Sequence, residues 1–217
     1  NYIEEARIRE AARVLLDNLP DYFYKIPASS TGKYHPDFAS GDGGLVRHTK
    51  VAVRMAYELY QITPYDKLFT RREKDCMLLG LLIHDGLKKG NPEEKYTRFD
   101  HPILAAEYVL KMQEKTGLSK EEAEFISHVV KTHMGKWNTD YNGNEILEVP
   151  KDRYQYFVHM CDYLASRKVI NVKFDENSIF TFKESTFANK ISVPDLANKL
   201  SLSLQKISSE LIDKWSN

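Results

Sequence analysis

Apolar residues recur at helical spacing along most of the chain. In residues 4–19, Ile8, Ala12 and Leu15 fall near one face of a 3.6-residue period, and Pro20 ends the segment because proline cannot continue a helix. The same spacing predicts further helices over 45–62, 70–84, 100–115, 119–133 and 151–170, and one or two closing helices over 192–215. The pattern therefore predicts an all-α protein.

Two of the predicted helices begin with a capping box. Thr70 is followed three residues later by Glu73, and Ser119 by Glu122. In each pair, the hydroxyl and the carboxylate can bond amide groups that the first helical turn leaves without partners. Pro102 suits an early position of the helix that begins near residue 100, because its ring fixes a helical φ.

Two stretches depart from helical spacing. Residues 27–44 are rich in Gly, Ser, Asp and Pro and are predicted to form a long ordered loop. Loops of this length inside compact domains are often functional. Residues 172–182 carry β-branched and aromatic residues around Asp-Glu-Asn, which predicts a short β-hairpin. No internal repeat or linker divides the chain, so we expect one domain over residues 1–217.

The composition is that of an ordinary globular protein. The 217 residues are 42% apolar and 29% charged, and 31 Lys and Arg residues balance 31 Asp and Glu residues, so no overall positive field favours long nucleic acids. The longest apolar run, 77–83, is far shorter than the roughly 20 residues that cross a membrane, and no signal peptide is recognised. Cys76 and Cys161 lie in apolar segments, which is typical of reduced core residues. We therefore expect a cytoplasmic protein with no membrane partner.

Histidine and aspartate residues supply the candidate chemistry. The apolar run 77–83 leads directly into His84 and Asp85, and polar side chains at the end of a buried segment are costly unless something satisfies them. A single histidine is more often a hydrogen-bonded core or surface residue than a ligand. His48 and Asp162 lie on two other predicted helices and complete a set of two imidazoles and two carboxylates. Such a set suits Mn, Fe, Co, Ni or Zn better than Ca, and Mg is also compatible with it.

The order His48, His84–Asp85, Asp162 on successive helices resembles the HD-domain superfamily of metal-dependent phosphohydrolases. The flanking segments GGLVRHT, LLIHDGLKK and CDYLASR carry the resemblance further along the chain. It implies an HD-type helical bundle with a metal-binding core over about residues 40–167. Residues 171–217 would then be an extension made of the hairpin and the closing helices.

The two-metal branch of this superfamily has three further histidines between the doublet and the last aspartate. His101, His128 and His133 match that pattern, which implies two divalent transition-metal ions and a bridging role for Asp85. His128 and His133 are five residues apart, or about 140° around an ideal helix. Both can therefore face one site only if the helix ends between them, and Gly135 favours such an end.

The segment that ends in Gly135 also resembles the H-x4-H-H-G segment of HD-type 3′-to-5′ exoribonucleases. Met134 stands where those enzymes have the final histidine, and this departure weakens the exoribonuclease assignment. His159 lies three residues before Asp162 and is either a donor that orients a ligand carboxylate or a packed core histidine.

The resemblance implies catalytic and substrate-binding residues as well. Asp85 would hold the metal ions, which lower the pKa of bound water and stabilise oxygens during displacement at phosphorus. Lys88 matches the lysine of the family's HD-x-x-K segment and would neutralise a phosphate oxygen. The predicted substrate contacts are Lys33, His35, Lys136 and Arg167. Trp137 is a candidate either to stack on a base or to cover the core.

We therefore predict a phosphohydrolase that cleaves phosphodiester bonds of nucleotides or nucleic-acid ends, because in this family the three-histidine set goes with diesters. Three alternatives remain open. The first is a nucleotide phosphomonoesterase or triphosphohydrolase. The second is a di-iron oxygenase of the same fold, although such enzymes use fewer histidines. The third is a non-catalytic nucleotide binder, against which the apparent completeness of the ligand series argues.

Overall fold

The computed structural model describes residues 2–31 and 35–170, and the regular elements within these two ranges are helices. No β-strand occurs in this part of the chain. The α-helices are α1 (Ala6–Asp17), α2 (Gly44–Leu59), α3 (Tyr65–Leu68), α4 (Arg71–Ile83), α5 (His101–Lys111), α6 (Gln113–Thr116), α7 (Lys120–Val130) and α8 (Arg153–Ala165). Short 3₁₀ helices lie at Asp21–Tyr24 and Asp37–Ala39. The predicted all-α fold is confirmed.

The helix starts follow the local sequence. The Thr70 side chain accepts a hydrogen bond from the Glu73 amide, and Ser119 accepts one from the Glu122 amide, so both predicted capping boxes form. Pro102 lies in the first turn of α5, as predicted. The ends differ more, since the segment predicted as one helix over 100–115 divides into α5 and α6 at Met112. The predicted hairpin at 172–182, the closing helices at 192–215 and the extension over 171–217 lie outside the described residues.

Helix α4 runs through the centre of the bundle. It packs against α1, α2, α7 and α8. Leu79 and Leu81 are fully buried, and burying a leucine side chain stabilises a fold by about 1.5–3 kcal/mol. A Cβ at Gly80 would lie 3.3 Å from side-chain atoms of Val129 and Val130, so the glycine allows α4 and α7 to approach closely. Because α4 ends at Ile83, its packing places the next residue, His84, inside the core.

Both cysteines are core residues. Cys76 and Cys161 are buried and free, as their apolar surroundings predicted. Burial raises the pKa of the Cys76 thiol to about 12, so it remains protonated and unreactive near neutral pH. None of the described helices combines the length and the hydropathy needed to cross a bilayer.

Candidate metal centre

Three helices bring the four principal predicted ligands together. His48 lies on α2, His84 caps the C-terminus of α4 and is followed by Asp85, and Asp162 lies on α8. The Asp162 Oδ1 atom is 2.8 Å from His48 Nε2 and 3.4 Å from His84 Nε2. The Asp85 Oδ2 atom is 3.6 Å from His84 Nε2 and 3.9 Å from His48 Nε2. The Nε2 atom of each of these two histidines therefore has a carboxylate oxygen of both aspartates within 4 Å.

The other carboxylate oxygen of Asp85 faces a second pair of histidines. His101 is the first residue of α5, and His133 lies in the turn that follows α7. Their Nε2 atoms are 3.0 Å and 3.7 Å from Asp85 Oδ1, and 3.2 Å from each other. Asp85 thus lies between two histidine pairs and presents one oxygen to each, which is the arrangement that a bridging carboxylate requires.

Three of these histidines are oriented by the same kind of hydrogen bond. The Nδ1 atoms are bonded to the carbonyl oxygen three residues earlier: His84 to Leu81 at 2.7 Å, His101 to Arg98 at 2.7 Å and His133 to Val130 at 2.8 Å. Because a carbonyl oxygen can only accept, each Nδ1 carries a proton, so Nε2 is the nitrogen of each ring that is left to bind a cation at the centre. Metal-ligating histidines are typically oriented by such bonds.

The buried nitrogen atoms at the centre fit a bound cation. His84 Nε2 is buried and has no hydrogen-bond partner. The Nε2 atoms of His101 and His133 approach each other while both Nδ1 protons are committed to carbonyl groups, so two lone pairs would repel unless a proton or a metal ion lies between them. Among the residues that the structure describes, two groups of side chains have the spacing needed to hold an ion: His48, His84 and Asp162, and His84, Asp85 and His133.

The electrostatics of the centre also favour a cation. Burial raises the pKa of Asp85, but Lys88 and the surrounding histidines lower it by more, so its pKa lies well below the usual range. Asp162 likewise remains ionised despite burial, because His84 and the nearby His48 lower its pKa. Burial alone would lower the pKa of His84, but the two carboxylates raise it to about 9. The carboxylates of Asp85 and Asp162 thus stay charged, as metal ligands must.

The structure does not bring His128 to the other predicted ligands. Its side chain is 43% exposed, and its Nε2 atom bonds the Asp152 carboxylate at the start of α8. Helix α7 continues past His128 to Val130, so the helix end redirects only His133 towards Asp85. The ligand set proposed below therefore leaves out His128, which the sequence had included.

His159 has an orienting role that the sequence did not reveal. Its Nδ1–H donates to the backbone carbonyl of His133 at 2.6 Å, rather than to the carboxylate of Asp162. The turn can approach the His159 ring this closely because Gly135 has φ of 62° and no side chain. His159 therefore supports the turn that carries His133.

Replacing Gly135 with alanine is expected to loosen the turn around His133. The left-handed backbone costs a residue with a Cβ about 1–2 kcal/mol, and this Cβ would lie 2.2 Å from the His159 ring. We expect a lower melting temperature and weaker metal retention, measured by calorimetry and elemental analysis. Gly117→Ala is the matched control, because Gly117 has φ of 69° but nothing within 4 Å of the added Cβ. Equal metal retention in the two variants would contradict this role of Gly135.

A cavity of about 660 Å³ opens onto the centre. Three of the four predicted substrate-binding residues, His35, Lys136 and Arg167, line it, as does the predicted catalytic Lys88. The fourth, Lys33, lies outside the described residues. The Lys88 Nζ atom is 2.6 Å from Asp85 Oδ2, so its charge is held at the floor of the cavity.

His35 is a predicted substrate contact that lies beside one of the proposed ligands. Its ring packs edge-on against His48, with the ring centres 4.9 Å apart. Burial, followed by the effects of His48 and Lys88, lowers the pKa of His35 to about 3. The imidazole is therefore neutral near neutral pH and adds no charge to the cavity.

Comparisons with known proteins find a distant similarity. No family model matches the chain, and no solved structure does. The chain is 27% identical over 142 residues to the 3′-5′ exoribonuclease YhaM of Listeria innocua serovar 6a, and 26% identical over 142 residues to the protein of that name from Listeria welshimeri. The matched segment is 62% of this chain but only 42% of each relative. The chain thus spans less than half the length of these curated relatives and resembles them over most of its own.

Proposed function

We propose that this protein is a metal-dependent phosphohydrolase of the HD type that cleaves phosphodiester bonds of nucleotides or nucleic-acid ends. The observation that carries the proposal is the position of Asp85, whose two carboxylate oxygens each face a separate pair of histidines. The distant similarity to proteins named 3′-5′ exoribonucleases supports hydrolysis of a nucleic-acid phosphodiester in general.

The proposed ligands divide into two sets that share Asp85. The first set is His48, His84, Asp85 and Asp162, and the second is Asp85, His101 and His133. Mixed imidazole and carboxylate ligands suit Mn, Fe, Co, Ni or Zn, and Mg is also compatible. When bound, such ions act as Lewis acids on phosphoryl oxygens and lower the pKa of coordinated water.

The residues of this chain contribute binding, orientation and charge. The hydrogen bonds to backbone carbonyls hold the rings of His84, His101 and His133 in place before substrate binds, which avoids reorganisation during the reaction. Lys88 lies at the floor of the cavity beside Asp85, and we propose that its ammonium group stabilises negative charge on a phosphate oxygen bound there.

A phosphomonoesterase is the second candidate, and a particular feature of the second ligand set favours it. Met134 occupies the position of a further histidine in the exoribonuclease segment, and His128 lies on the surface beside Asp152. Within the described residues, the second set therefore has only three protein ligands. A weakly held second ion would favour the monoester chemistry of single-metal members of the superfamily.

The test of this proposal is a matrix of metals and substrates. The metal-free protein is loaded singly with Mn, Mg, Co, Ni or Zn and assayed with bis(p-nitrophenyl) phosphate, nucleoside monophosphates, cyclic dinucleotides, and short RNA and DNA. We expect metal-dependent cleavage of diesters that exceeds cleavage of monoesters. His128→Ala is expected to retain the wild-type rate, since His128 lies outside the centre. Preferential release of phosphate from monophosphates would support the second candidate, and inactivity with every metal would refute both.

A further inference from the structure

A second, smaller cavity lies beside the one that opens onto the metal centre. Its volume is about 390 Å³, and its lining residues are Gly135, Lys136, Trp137, Val149, Pro150, Tyr156, His159 and Tyr163. Four of them, Lys136, Trp137, His159 and Tyr163, also line the larger cavity. The two cavities therefore lie side by side and share these residues as a wall.

The smaller cavity collects large apolar side chains that are exposed to solvent. Trp137 is 42% exposed, Val149 is 40% exposed and Tyr156 is 58% exposed. Exposed apolar side chains scattered singly need no explanation, whereas a cluster of them around a concave surface marks a binding site. The position of this cluster beside the metal centre indicates that it binds part of the same substrate.

The shared wall combines aromatic rings with cations. The rings of Trp137 and Tyr163 stack with their centres 5.8 Å apart and their planes at 19°. The Arg167 guanidinium lies 4.2 Å from the centre of the Tyr163 ring, and the Lys136 ammonium lies 5.3 Å from the Trp137 ring. Aromatic faces that stack with bases, next to cations that track the phosphate backbone, are the recurring means of binding single-stranded nucleic acid.

We propose that the smaller cavity is a subsite for a second nucleobase, adjacent to the nucleotide held over the metal centre. The preferred substrate is then a single-stranded nucleic-acid end of at least two nucleotides, rather than a free mononucleotide. Tyr156 and Trp137 provide stacking surfaces, while Lys136 and Arg167 contact phosphate groups along the wall. This inference rests on the proposed phosphodiesterase function for its link to catalysis, but base binding itself can be measured separately.

The kinetic test compares Tyr156→Ala with the wild type on two diesters. Bis(p-nitrophenyl) phosphate has no second base, whereas a pentanucleotide does. We expect Tyr156→Ala to reduce kcat/KM for the pentanucleotide about tenfold relative to kcat/KM for the small diester, in line with the loss of one stacked base. Tyr156→Phe keeps the ring and is expected to restore the wild-type ratio. Tyr141→Ala removes a fully exposed tyrosine that lines neither cavity and serves as the matched control.

A binding measurement without metal separates this inference from the proposed function. The anisotropy of a fluorescent pentanucleotide is titrated in the presence of a chelator, where no turnover occurs. We expect Tyr156→Ala to raise the dissociation constant about tenfold and Tyr141→Ala to leave it unchanged. If the wild type binds the pentanucleotide in this way but cleaves no diester, the proposed function fails and the base subsite stands.

One result would overturn the subsite. It is an unchanged dissociation constant together with an unchanged kcat/KM ratio in Tyr156→Ala, whether or not the melting temperature of that variant falls.

Discussion

Replacing Asp85 with alanine is expected to abolish turnover while leaving the helical fold in place. The carboxylate is 3% exposed and lies between the two histidine pairs, so its loss removes a ligand from both proposed metal sites at once. The loss of metal-based stabilisation should raise the activation barrier by several kcal/mol, which corresponds to a rate decrease of about a thousandfold or more. Asp85 lies two residues beyond the last residue of α4, so the buried leucines of that helix keep their contacts.

The measurements for this variant are diester hydrolysis, metal content and far-UV circular dichroism. Asp85→Asn is the companion variant, because it preserves the shape of the side chain and removes only its charge. We expect both variants to retain the helical spectrum and to lose metal and activity. Full activity in either folded variant would refute the role of Asp85. If only the alanine variant loses its helical signal, the activity and metal content of Asp85→Asn decide the role of Asp85.

Replacing His133 with alanine is expected to lower the metal content from about two ions per chain to about one and to suppress diester cleavage. His133 and His101 are the imidazoles that face Asp85 Oδ1, whereas His48, His84 and Asp162 remain in place for the first ion. Loss of the second ion removes stabilisation of one of the two oxygens that flank phosphorus, so the barrier should rise by several kcal/mol.

Elemental analysis paired with a diester assay measures this effect. His128→Ala is the matched control, since His128 is a histidine on the preceding helix whose partner is Asp152 rather than Asp85. We expect the control to keep two ions and the wild-type rate. Unchanged metal content and rate in His133→Ala would mean that Asp85 serves a single ion, and would favour the phosphomonoesterase.

Helix formation was predictable because its causes are local. Capping boxes at Thr70 and Ser119 depend on residues three positions apart, and the apolar spacing of α4 depends on one helical period. Helix ends were less predictable, as α7 shows by ending at Val130 rather than at residue 133. Where a helix ends depends on the hydrogen-bond partners of its last carbonyl groups. In α7, the carbonyl oxygen of Val130 accepts a hydrogen bond from the side chain of His133.

The sequence by itself determined the candidate ligands His48, His84, Asp85 and Asp162, because their order along the chain and their flanking segments can be recognised without a structure. It did not separate His128 from His133, nor did it assign His159 to the carbonyl of His133. A histidine just beyond a helix end can donate to a carbonyl three residues back, as His84 and His133 do, whereas mid-helix carbonyls are already bonded to amides. Only the tertiary structure decided which imidazoles face the two oxygens of Asp85, because that depends on how α4, α5, α7 and α8 pack around one carboxylate.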